Sequence, residues 1–328
     1  MARPLFADPK TDLIFKRIFG RKANRHLLIA LLNDLLDLPL ERRIVSVEHL
    51  PPEQLPTLPG LKRSIVDVKC EEASGRRYIV EMQVNNQEAF EKRMVYNASR
   101  DYADQIQRGD QYPDLNDVVL VAICSFRLWW HDEVLLKKKE VPMVSRWSIS
   151  EETTGERRLG QVRYVVLELP KYQGGAHPKS MIDRWAYFFR ETEELLEIPT
   201  ELSEGPLREA LEVARLSGMT AEELAVYERE KIAEQDARGM LTLAEREGEA
   251  RGEMRGRDLG LKEGKDLGLK EGKDLGLKEA LVAVLRARGV PLGAEAEQRI
   301  RSCDDPVLLS TWLVRAATCS TVEQVLDS

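Results

Sequence analysis

The sequence has few of the residues that build common metal-bound and cross-linked sites. Its 328 residues include four cysteines and four histidines. The cysteines are scattered without a CxxC pair, and no histidine stands at zinc-ligand spacing from them. We therefore expect buried thiols rather than a zinc site or a disulfide framework, and we assign the histidines no chemistry.

Long apolar runs and an excess of positive charge are also missing. No stretch approaches the roughly 18 apolar residues of a membrane-spanning helix, and the first residues lack the charged, apolar and small segments of a secretory signal. The formal net charge is −7, which argues against binding of nucleic acid by the whole surface. The sequence predicts a cytoplasmic protein with no membrane partner.

What the chain does have is enough apolar sequence to fold. Hydrophobic residues make up 43% and charged residues 32%, and the length allows one sizeable domain with a smaller one. The change in composition along the chain predicts three parts. They are a globular domain at 1–200, a charged helical region with a glycine-rich octapeptide-repeat linker at 201–278, and a small all-α domain at 279–328.

Two segments with alternating apolar residues, at 64–70 and 78–84, predict a β-hairpin. Ala73-Ser74-Gly75 fits a three-residue loop in which the glycine takes the left-handed conformation. Pairing that is symmetric about Ser74 places residue 67 opposite residue 81. One face then carries Val66, Val68, Cys70, Tyr78, Val80, Met82 and Val84, and the other carries Asp67, Lys69, Glu81 and Gln83.

The two carboxylates on this hairpin point to a metal site. Directly opposed residues on one sheet face have Cβ atoms roughly 4.5–5.5 Å apart. Carboxylates that close repel each other unless a cation lies between them, so Asp67 and Glu81 predict a divalent metal site. The alternative is a solvated sheet face that carries charges.

The N-terminal region combines helical patterning with positive charge. Apolar spacing predicts two helices within residues 8–36, joined near Gly20, with Thr11 as the first N-cap. Residues 1–30 hold seven basic and two acidic side chains. Either a phosphate-facing patch or a solvated amphipathic face explains this local excess.

A further amphipathic helix is predicted at 88–108. Arg93 and Arg100 lie seven residues apart and therefore on one side of it, with Tyr96 nearby. One interpretation puts these arginines on a nucleic-acid backbone, because a guanidinium binds phosphate bidentately. The other pairs them with Glu91 or Asp104 on the same helix.

The remaining elements of the first part follow from apolar runs and prolines. We expect a short strand at 44–47, an extended connection at 50–60, a strand buried on both faces at 117–124, a strand at 163–169 and a helix at 181–196. Trp129, Trp130 and Trp147 fall in a less regular region.

The C-terminal part contains a glycine repeat. Glycines recur every four residues from Gly248 to Gly276. Each costs an isolated helix about 1 kcal/mol relative to alanine, and a four-residue period drifts about 40° per step around a helix. The repeat predicts a marginal helix or a semi-flexible spacer, which self-association could order. The amphipathic residues that follow predict a small helical domain with an interaction or dimerisation role, and hence a homo-oligomer formed through this region.

Several motifs between residues 5 and 200 occur in a fixed order. They are DLIFKRIF at 12–19, LN at 32–33, VDV at 66–68, GRRYIVEMQ at 75–83, KR at 92–93, Tyr96, Gln105, Gly109, Tyr112 and LELPK at 167–171. Together they resemble the recombination-promoting nuclease family, transposase-like bacterial proteins of the PD-(D/E)XK nuclease superfamily.

The resemblance implies a fold, an activity and a site. The fold is a restriction-endonuclease-like α/β core, in which helices flank a mixed central sheet. The activity is that of a metal-dependent DNA endonuclease that acts in recombination or mobile-element processes. Mg²⁺ or Mn²⁺ would be held by Asp67, Glu81 and the backbone carbonyl of Met82. Side chains expected to contact DNA are those of Lys16, Arg93, Arg100 and Tyr96.

The chain departs from the wider superfamily at one catalytic position. The residue two beyond the glutamate is lysine in the superfamily and Gln83 here, as in the family that this chain resembles. Glutamine can orient the attacking water but carries no charge. Lys69, Lys16 and Arg93 are the candidate sources of the missing charge. Asp12 is either an accessory acidic ligand or a first-turn residue that favours the helix dipole.

Two other functions remain open from the sequence. One is a nucleic-acid-binding protein of the same fold without cleavage activity, which Gln83 favours and the retained Asp67 and Glu81 oppose. The other is an oligomeric regulatory or assembly protein that acts through its helical tail.

Overall fold

The computed structural model describes residues 4–54, 64–107, 109–129 and 140–327. The chain divides into two compact units, Met1–Asp236 and Ala237–Ser328. The division into 1–200, 201–278 and 279–328 stays a prediction. Trp130, and residues 55–60 of the expected extended connection, lie outside the described residues.

The first unit is built on a six-stranded mixed sheet with the strand order β1-β4-β5-β6-β8-β7. Strands β5, β6 and β8 are parallel to one another, while β1, β4 and β7 pair antiparallel with their neighbours. A separate small sheet pairs β2 with β3. The strands are β1 (Val47–Leu50), β2 (Glu53–Gln54), β3 (Ser64–Ile65), β4 (Val68–Glu72), β5 (Arg77–Gln83), β6 (Val118–Cys124), β7 (Val144–Trp147) and β8 (Val162–Glu168).

Helices cover both faces of this sheet, which confirms the expected restriction-endonuclease-like α/β core. No helix among the described residues combines the length and the apolarity needed to span a membrane. The helices are α1 (Asp12–Phe15), which continues as a π-helical turn at Lys16–Gly20, then α2 (Arg25–Leu36), α3 (Phe90–Ala103), α4 (Met181–Glu191), α5 (Gly205–Ala214) and α6 (Ala221–Ala287).

Two hydrophobic layers enclose the sheet. The larger layer packs α1, α2, α4 and α5 on one face of the sheet. At its centre is a cluster of aromatic rings, in which the ring centroid of Phe19 lies 6.0 Å from those of Trp185 and Phe189. The smaller layer packs α3 on the other face through Phe90 and Met94. Every residue of β6 is buried between these layers, as its continuous apolar sequence predicts.

The β4–β5 hairpin has the predicted register. Val68 pairs with Val80 and Glu71 with Arg77, so the pairing is symmetric about Ser74. Gly75 has a φ of 88° and closes the loop through its N–H to the carbonyl of Glu72. A Cβ at this glycine would also lie 2.6 Å from the side chain of Asn116. The positive φ therefore favours glycine, and any larger residue would also require the Asn116 side chain to move.

The fold differs from the sequence expectations at three places. Val66 packs in the smaller layer rather than beside Val68, because the chain bends at Asp67. The strand expected at 44–47 begins at Val47, since the backbone N–H and carbonyl of Ile44 both bond to the side chain of Asn33. The irregular region around the tryptophans contains β7, an edge strand too short to show a pattern.

The second unit contains the glycine repeat and a small helical core. The repeat lies within α6, and a Cβ at any glycine from Gly248 to Gly276 would meet nothing within 4 Å. Gly289 has a φ of 67° just after α6 ends. Beyond it, α7 (Ala294–Arg301), α8 (Pro306–Ala316) and α9 (Val322–Leu326) bury Trp312 among aliphatic side chains.

Candidate active site

The C-terminal end of β5 presents a glutamate and a glutamine to helix α3. Ile79, Glu81 and Gln83 occupy alternate positions of the strand and so share one face. Ile79 packs in the smaller layer against α3, which sets the direction of the other two. Glu81 is 5% exposed and Gln83 is 8% exposed. Two polar side chains are therefore buried between the sheet and α3.

Helix α3 provides partners for both of them. Asn97 donates from Nδ2 to Oε1 of Glu81 at 2.7 Å. One helical turn earlier, Arg93 donates from Nη2 to Oε1 of Gln83 and lies 4.0 Å from Oε2 of Glu81. Arg93 also donates to Gln87 at 2.7 Å. Because residues four apart share a helix face, α3 holds an amide and a guanidinium beside the same carboxylate.

Gln83 uses both ends of its amide. Its Oε1 accepts from Arg93, and its Nε2 donates to the backbone carbonyl of Asn85 at 2.7 Å. These contacts fix the amide orientation and leave one N–H and one lone pair of the oxygen for another group. Gln83 therefore orients the Arg93 guanidinium.

Asp67 reaches the same end of the sheet from the bend before β4. Its Oδ2 accepts from the N–H of Met82 at 2.7 Å. Along a strand, the N–H and carbonyl of one residue point to one side, and those of the next residue point to the other. The Gln83 carbonyl bonds to the N–H of Ser125, beyond the end of β6, so the Met82 carbonyl points to the side on which Asp67 lies.

The two carboxyl groups have shifted pKa values. Burial raises the pKa of Asp67, and the hydrogen bond from Met82 opposes this shift. Burial also raises the pKa of Glu81, against the hydrogen bond from Asn97 and the charge of Arg93, while the charge of Asp67 raises it further. The site thus holds two desolvated acids whose charges repel, and a cation would stabilise both.

A cavity of about 340 Å³ adjoins Asp67 and Met82. One of its residues, Glu230 of α6, could not be identified from the sequence, and its carboxylate accepts from the N–H of Leu13 at 3.2 Å. Burial raises the pKa of Glu230, and Asp12 adds to the shift. The lining side chains are those of Lys10, Thr11, Asp12, Asp67, Met82, Val84, Asn85, Glu230, Ala233 and Glu234.

The other expected site residues have partners of their own. Lys16 pairs with Asp12 at 2.7 Å, four residues earlier. Lys69 pairs with the fully buried Asp101 of α3 rather than with Asp67 or Glu81.

Farther along α3, Arg100 donates to the hydroxyl of Tyr96 at 3.0 Å and lies 3.3 Å from Asp104. This pairing with Asp104 is the one that the sequence offered as the alternative to phosphate contact. Of the three candidates for the missing charge, Arg93 is the one that reaches Glu81.

The donor set is compatible with a divalent ion. No group of three or more His, Cys, Asp and Glu side chains lies close enough to hold a metal in the part of the chain that the structure describes. Two carboxylates and the Met82 carbonyl nevertheless offer three hard oxygen donors. Mg²⁺ keeps several of its waters and is often bound through one or two carboxylates with substrate phosphates. The chemistry of the Asp67 and Glu81 carboxylates and the Met82 carbonyl is therefore compatible with such an ion.

The sequence matches a known family over most of its length. Residues 9–244 match the family model of the PD-(D/E)XK nuclease family transposase. The matched region includes Asp67, Glu81 and Gln83 on the hairpin, Arg93 on α3 and Glu230 on α6. No curated protein and no solved structure matches the chain.

Proposed function

Because the chain belongs to the PD-(D/E)XK nuclease family transposases, we propose that it is a metal-dependent DNA endonuclease. It would hydrolyse phosphodiester bonds in recombination or mobile-element processes. One observation carries the proposal: Asp67 and the Met82 backbone meet at the end of the sheet where Glu81 is held by α3. This arrangement supports a site for Mg²⁺ or Mn²⁺ with Asp67, Glu81 and the Met82 carbonyl as ligands.

The protein groups around the site have distinct roles in this proposal. A bound divalent ion supplies a water of lowered pKa and neutralises charge at the phosphate. The Met82 N–H holds the Asp67 carboxylate, and Asn97 holds that of Glu81. Both hydrogen bonds fix carboxylate orientation before substrate arrives, which lowers the cost of reorganisation.

Arg93 takes the place of the superfamily lysine in this proposal. Its guanidinium lies 4.0 Å from Glu81 and is held by Gln83 and Gln87. The charge therefore comes from α3, while Gln83 positions it and keeps one N–H with which to orient the attacking water. Lys69 would act on the hairpin structure through Asp101.

The proposed substrate is DNA, which a local group of side chains would bind because the surface as a whole is not basic. Lys16 and Tyr96 are partly exposed, and Arg100 lies beside Tyr96. We propose that these side chains contact phosphates next to the site. We also propose a cytoplasmic homo-oligomer that forms through the C-terminal helical region.

A plasmid-nicking assay tests the proposal. The native chain is compared with Asp67→Asn and Glu81→Gln at varied Mg²⁺ and Mn²⁺, and Glu48→Gln on β1 serves as the control because Glu48 is exposed. We expect each site variant to lose about 10²-fold or more in rate, and the control to cleave normally. Mn²⁺ binding measured by calorimetry should weaken in the same two variants.

Two outcomes would contradict the proposal. Metal-dependent cleavage that survives both substitutions would show that the site assignment is wrong. DNA binding by the native chain without cleavage would favour the second candidate, a nucleic-acid-binding protein that has lost catalysis. The observation that favours this candidate is Gln83, whose neutral amide stands where the superfamily has a lysine.

A further inference from the structure

Glu230 of α6 contacts the start of α1 beside the candidate site. Its Oε2 accepts a hydrogen bond from the N–H of Leu13 at 3.2 Å, although the two residues are 217 positions apart in the sequence. Glu230 also lines the cavity that adjoins Asp67. One carboxylate of α6 therefore connects the first turn of α1 to the surroundings of Asp67.

The start of α1 has no cap from its own N-cap side chain. The first N–H groups of a helix find no partner within the helix. Thr11 stands at the N-cap position, but its side chain accepts no hydrogen bond there, and its hydroxyl donates to the carbonyl of Asp8 at 3.0 Å. Glu230 thus supplies the acceptor that an N-cap side chain usually provides. Its negative charge also complements the helix dipole.

The charged pair that this contact places is Asp12 and Lys16. Asp12 directly precedes Leu13, lines the cavity together with Asp67, and pairs with Lys16 at 2.7 Å. Burial is the main cause of the raised pKa of Asp67, the charge of Asp12 raises this pKa further, and the charge of Lys16 opposes it with a smaller effect. The position of the pair therefore influences the electrostatic potential at Asp67.

The other end of the same segment is held by the sheet. His49 of β1 donates from Nε2 to the carbonyl of Phe19 at 2.8 Å. A Cβ at Gly20, the last residue of the π-helical turn, would lie 3.7 Å from the side chain of Val68 on β4. These contacts fix the end of the segment against β1 and β4, whereas Glu230 contacts its start.

The part of α6 that carries Glu230 is anchored to the first unit. Three residues before it, the hydroxyl of Tyr227 accepts from the backbone N–H of Asp8 at 3.0 Å. The next residue, Lys231, pairs with the buried carboxylate of Asp8 at 3.1 Å and with Glu193 at 2.9 Å. Glu230 therefore lies between two anchored side chains and can hold α1 in one position.

We propose that Glu230 is a positioning residue of the candidate site, whose hydrogen bond to the start of α1 keeps the Asp12–Lys16 pair beside Asp67. This role rests on the proposed function, because a divalent ion at Asp67 is what the potential of the pair would act on. Asp12 has the larger effect of the two on Asp67. Displacement of the pair therefore makes the potential at Asp67 less negative and weakens binding of a cation.

Calorimetric Mn²⁺ titration of the full chain tests this role. Glu230→Ala should bind Mn²⁺ about tenfold more weakly, because outer-shell partners of metal ligands have effects of that order. Glu230→Gln should stay close to the native affinity, since its amide oxygen can still accept from the Leu13 N–H. The matched control is Glu223→Ala, which removes another contact of α6 with the same segment, the ion pairs with Arg17 and Arg21, at a residue that does not line the cavity.

The control should bind Mn²⁺ like the native chain. An equal loss in Glu223→Ala would reduce Glu230 to one of several structural contacts, and a Glu230→Gln variant as weak as Glu230→Ala would show that the charge acts rather than the hydrogen bond. Either result would overturn the proposal. A double-mutant cycle adds a further condition: Asp12→Asn should weaken Mn²⁺ binding in the native background and cost little more in Glu230→Ala. Additive losses would mean that Glu230 does not act through Asp12.

Amide hydrogen exchange without metal separates this proposal from the proposed function. Glu230→Ala should speed exchange of the Leu13 N–H about tenfold, because a hydrogen bond to a charged acceptor is lost, while the N–H groups of α3 keep their native protection. Native exchange at Leu13 would overturn the proposal. Faster exchange in a protein whose native chain binds no Mn²⁺ would support the placement of α1 by Glu230 and contradict the proposed metal site instead.

Discussion

At the scale of single residues, the candidate site depends on where its positive charge originates. Gln83 removes the charge that the superfamily carries on β5, and Arg93 brings a guanidinium to within 4.0 Å of Glu81 from α3. In the proposed site, the charge would therefore come from the helix rather than the strand, and Gln83 would position it through its hydrogen bond with Arg93. In this arrangement, Gln83 and Arg93 act as a pair.

Substitution of Arg93 tests this pairing. Arg93→Ala should lower the cleavage rate about 10²-fold, because the loss of one charged donor from a buried site has effects of that order. Arg93→Lys should retain more activity, since it keeps the charge but loses the fork that contacts Gln83 and Gln87. Single-turnover cleavage measures both, with Glu91→Gln as a control on the same helix, because Glu91 is exposed and has no role in the proposed site. A native rate for Arg93→Ala would show that the charge comes from elsewhere.

Asp101 gives a prediction about stability rather than catalysis. It is fully buried and forms an ion pair with Lys69, and Arg77 lies 3.8 Å away. Asp101→Asn leaves Lys69 without its counter-charge, and breaking a buried pair costs about 3–5 kcal/mol. The matched control is Asp104→Asn on the same helix. Loss of its exposed ion pair with Arg100 should lower the free energy of unfolding by less than about 1 kcal/mol. Urea denaturation measures both, and equal losses would contradict this account.

Residues placed by local sequence patterns could be predicted, whereas residues placed only by tertiary contacts could not. The register of the β4–β5 hairpin follows from local sequence, because Gly75 and the alternation of apolar residues fix it within twenty residues. Asn97 and Glu230 gave no signal. Asn97 is one polar residue in a helix, and Glu230 sits in a run of charged residues whose pattern does not reveal a contact with Leu13.

At the scale of elements, the long strands and amphipathic helices were predictable, while short or polar-packed elements were not. β6 and α3 have strong periodic or continuous apolar patterns and occur where expected. β7 has four residues at a sheet edge. At the start of α6, the hydroxyl of Tyr227 accepts a hydrogen bond from the backbone N–H of Asp8. Glu223 of the same helix forms ion pairs with Arg17 and Arg21. Because these contacts are polar, they produce no apolar stripe from which the packing could be predicted.

Alanine substitution should have opposite effects on stability at the glycines of α6 and at Gly75. A Cβ at Gly260 or Gly268 meets nothing within 4 Å, so Gly260→Ala/Gly268→Ala should stabilise the helix by up to about 1 kcal/mol per site. Gly75→Ala should instead destabilise the protein, because it adds strain at positive φ and a clash with Asn116. Thermal unfolding followed by circular dichroism measures both. Destabilisation by the α6 substitutions would mean that the glycines pack closely against another chain.

At the scale of the whole molecule, the proposed activity on DNA requires an acidic protein to concentrate its positive charge in local patches. The net charge is −7, yet the Arg93 guanidinium lies 4.0 Å from the Glu81 carboxylate. Composition therefore excludes coverage of the whole surface by positive charge but does not exclude local sites. The positions of those sites depend on tertiary packing, which composition does not reveal.

The first unit should fold without the second, and its boundary can be tested by truncation. Contacts place the limit at Asp236. α5 buries Leu207 and Leu211 in the larger layer, and Tyr227 of α6 is buried there as well. A chain ending at residue 236 keeps these residues, whereas one ending at 200 exposes the apolar surface that they cover. We expect cooperative unfolding of 1–236 and a large loss of stability or solubility in 1–200.

Thermal denaturation and size-exclusion chromatography distinguish these truncations, and 1–244, the end of the family match, is the control. If oligomerisation resides in the C-terminal helices, 1–236 should be monomeric while the full chain is not. Equal stability of 1–200 and 1–236 would show that α5 and the start of α6 contribute little, and the boundary predicted at residue 200 would then stand. Deletion of several fully buried side chains costs roughly 2–5 kcal/mol each, which exceeds the 5–15 kcal/mol of a typical domain after a few are lost. We therefore expect 1–200 to fail.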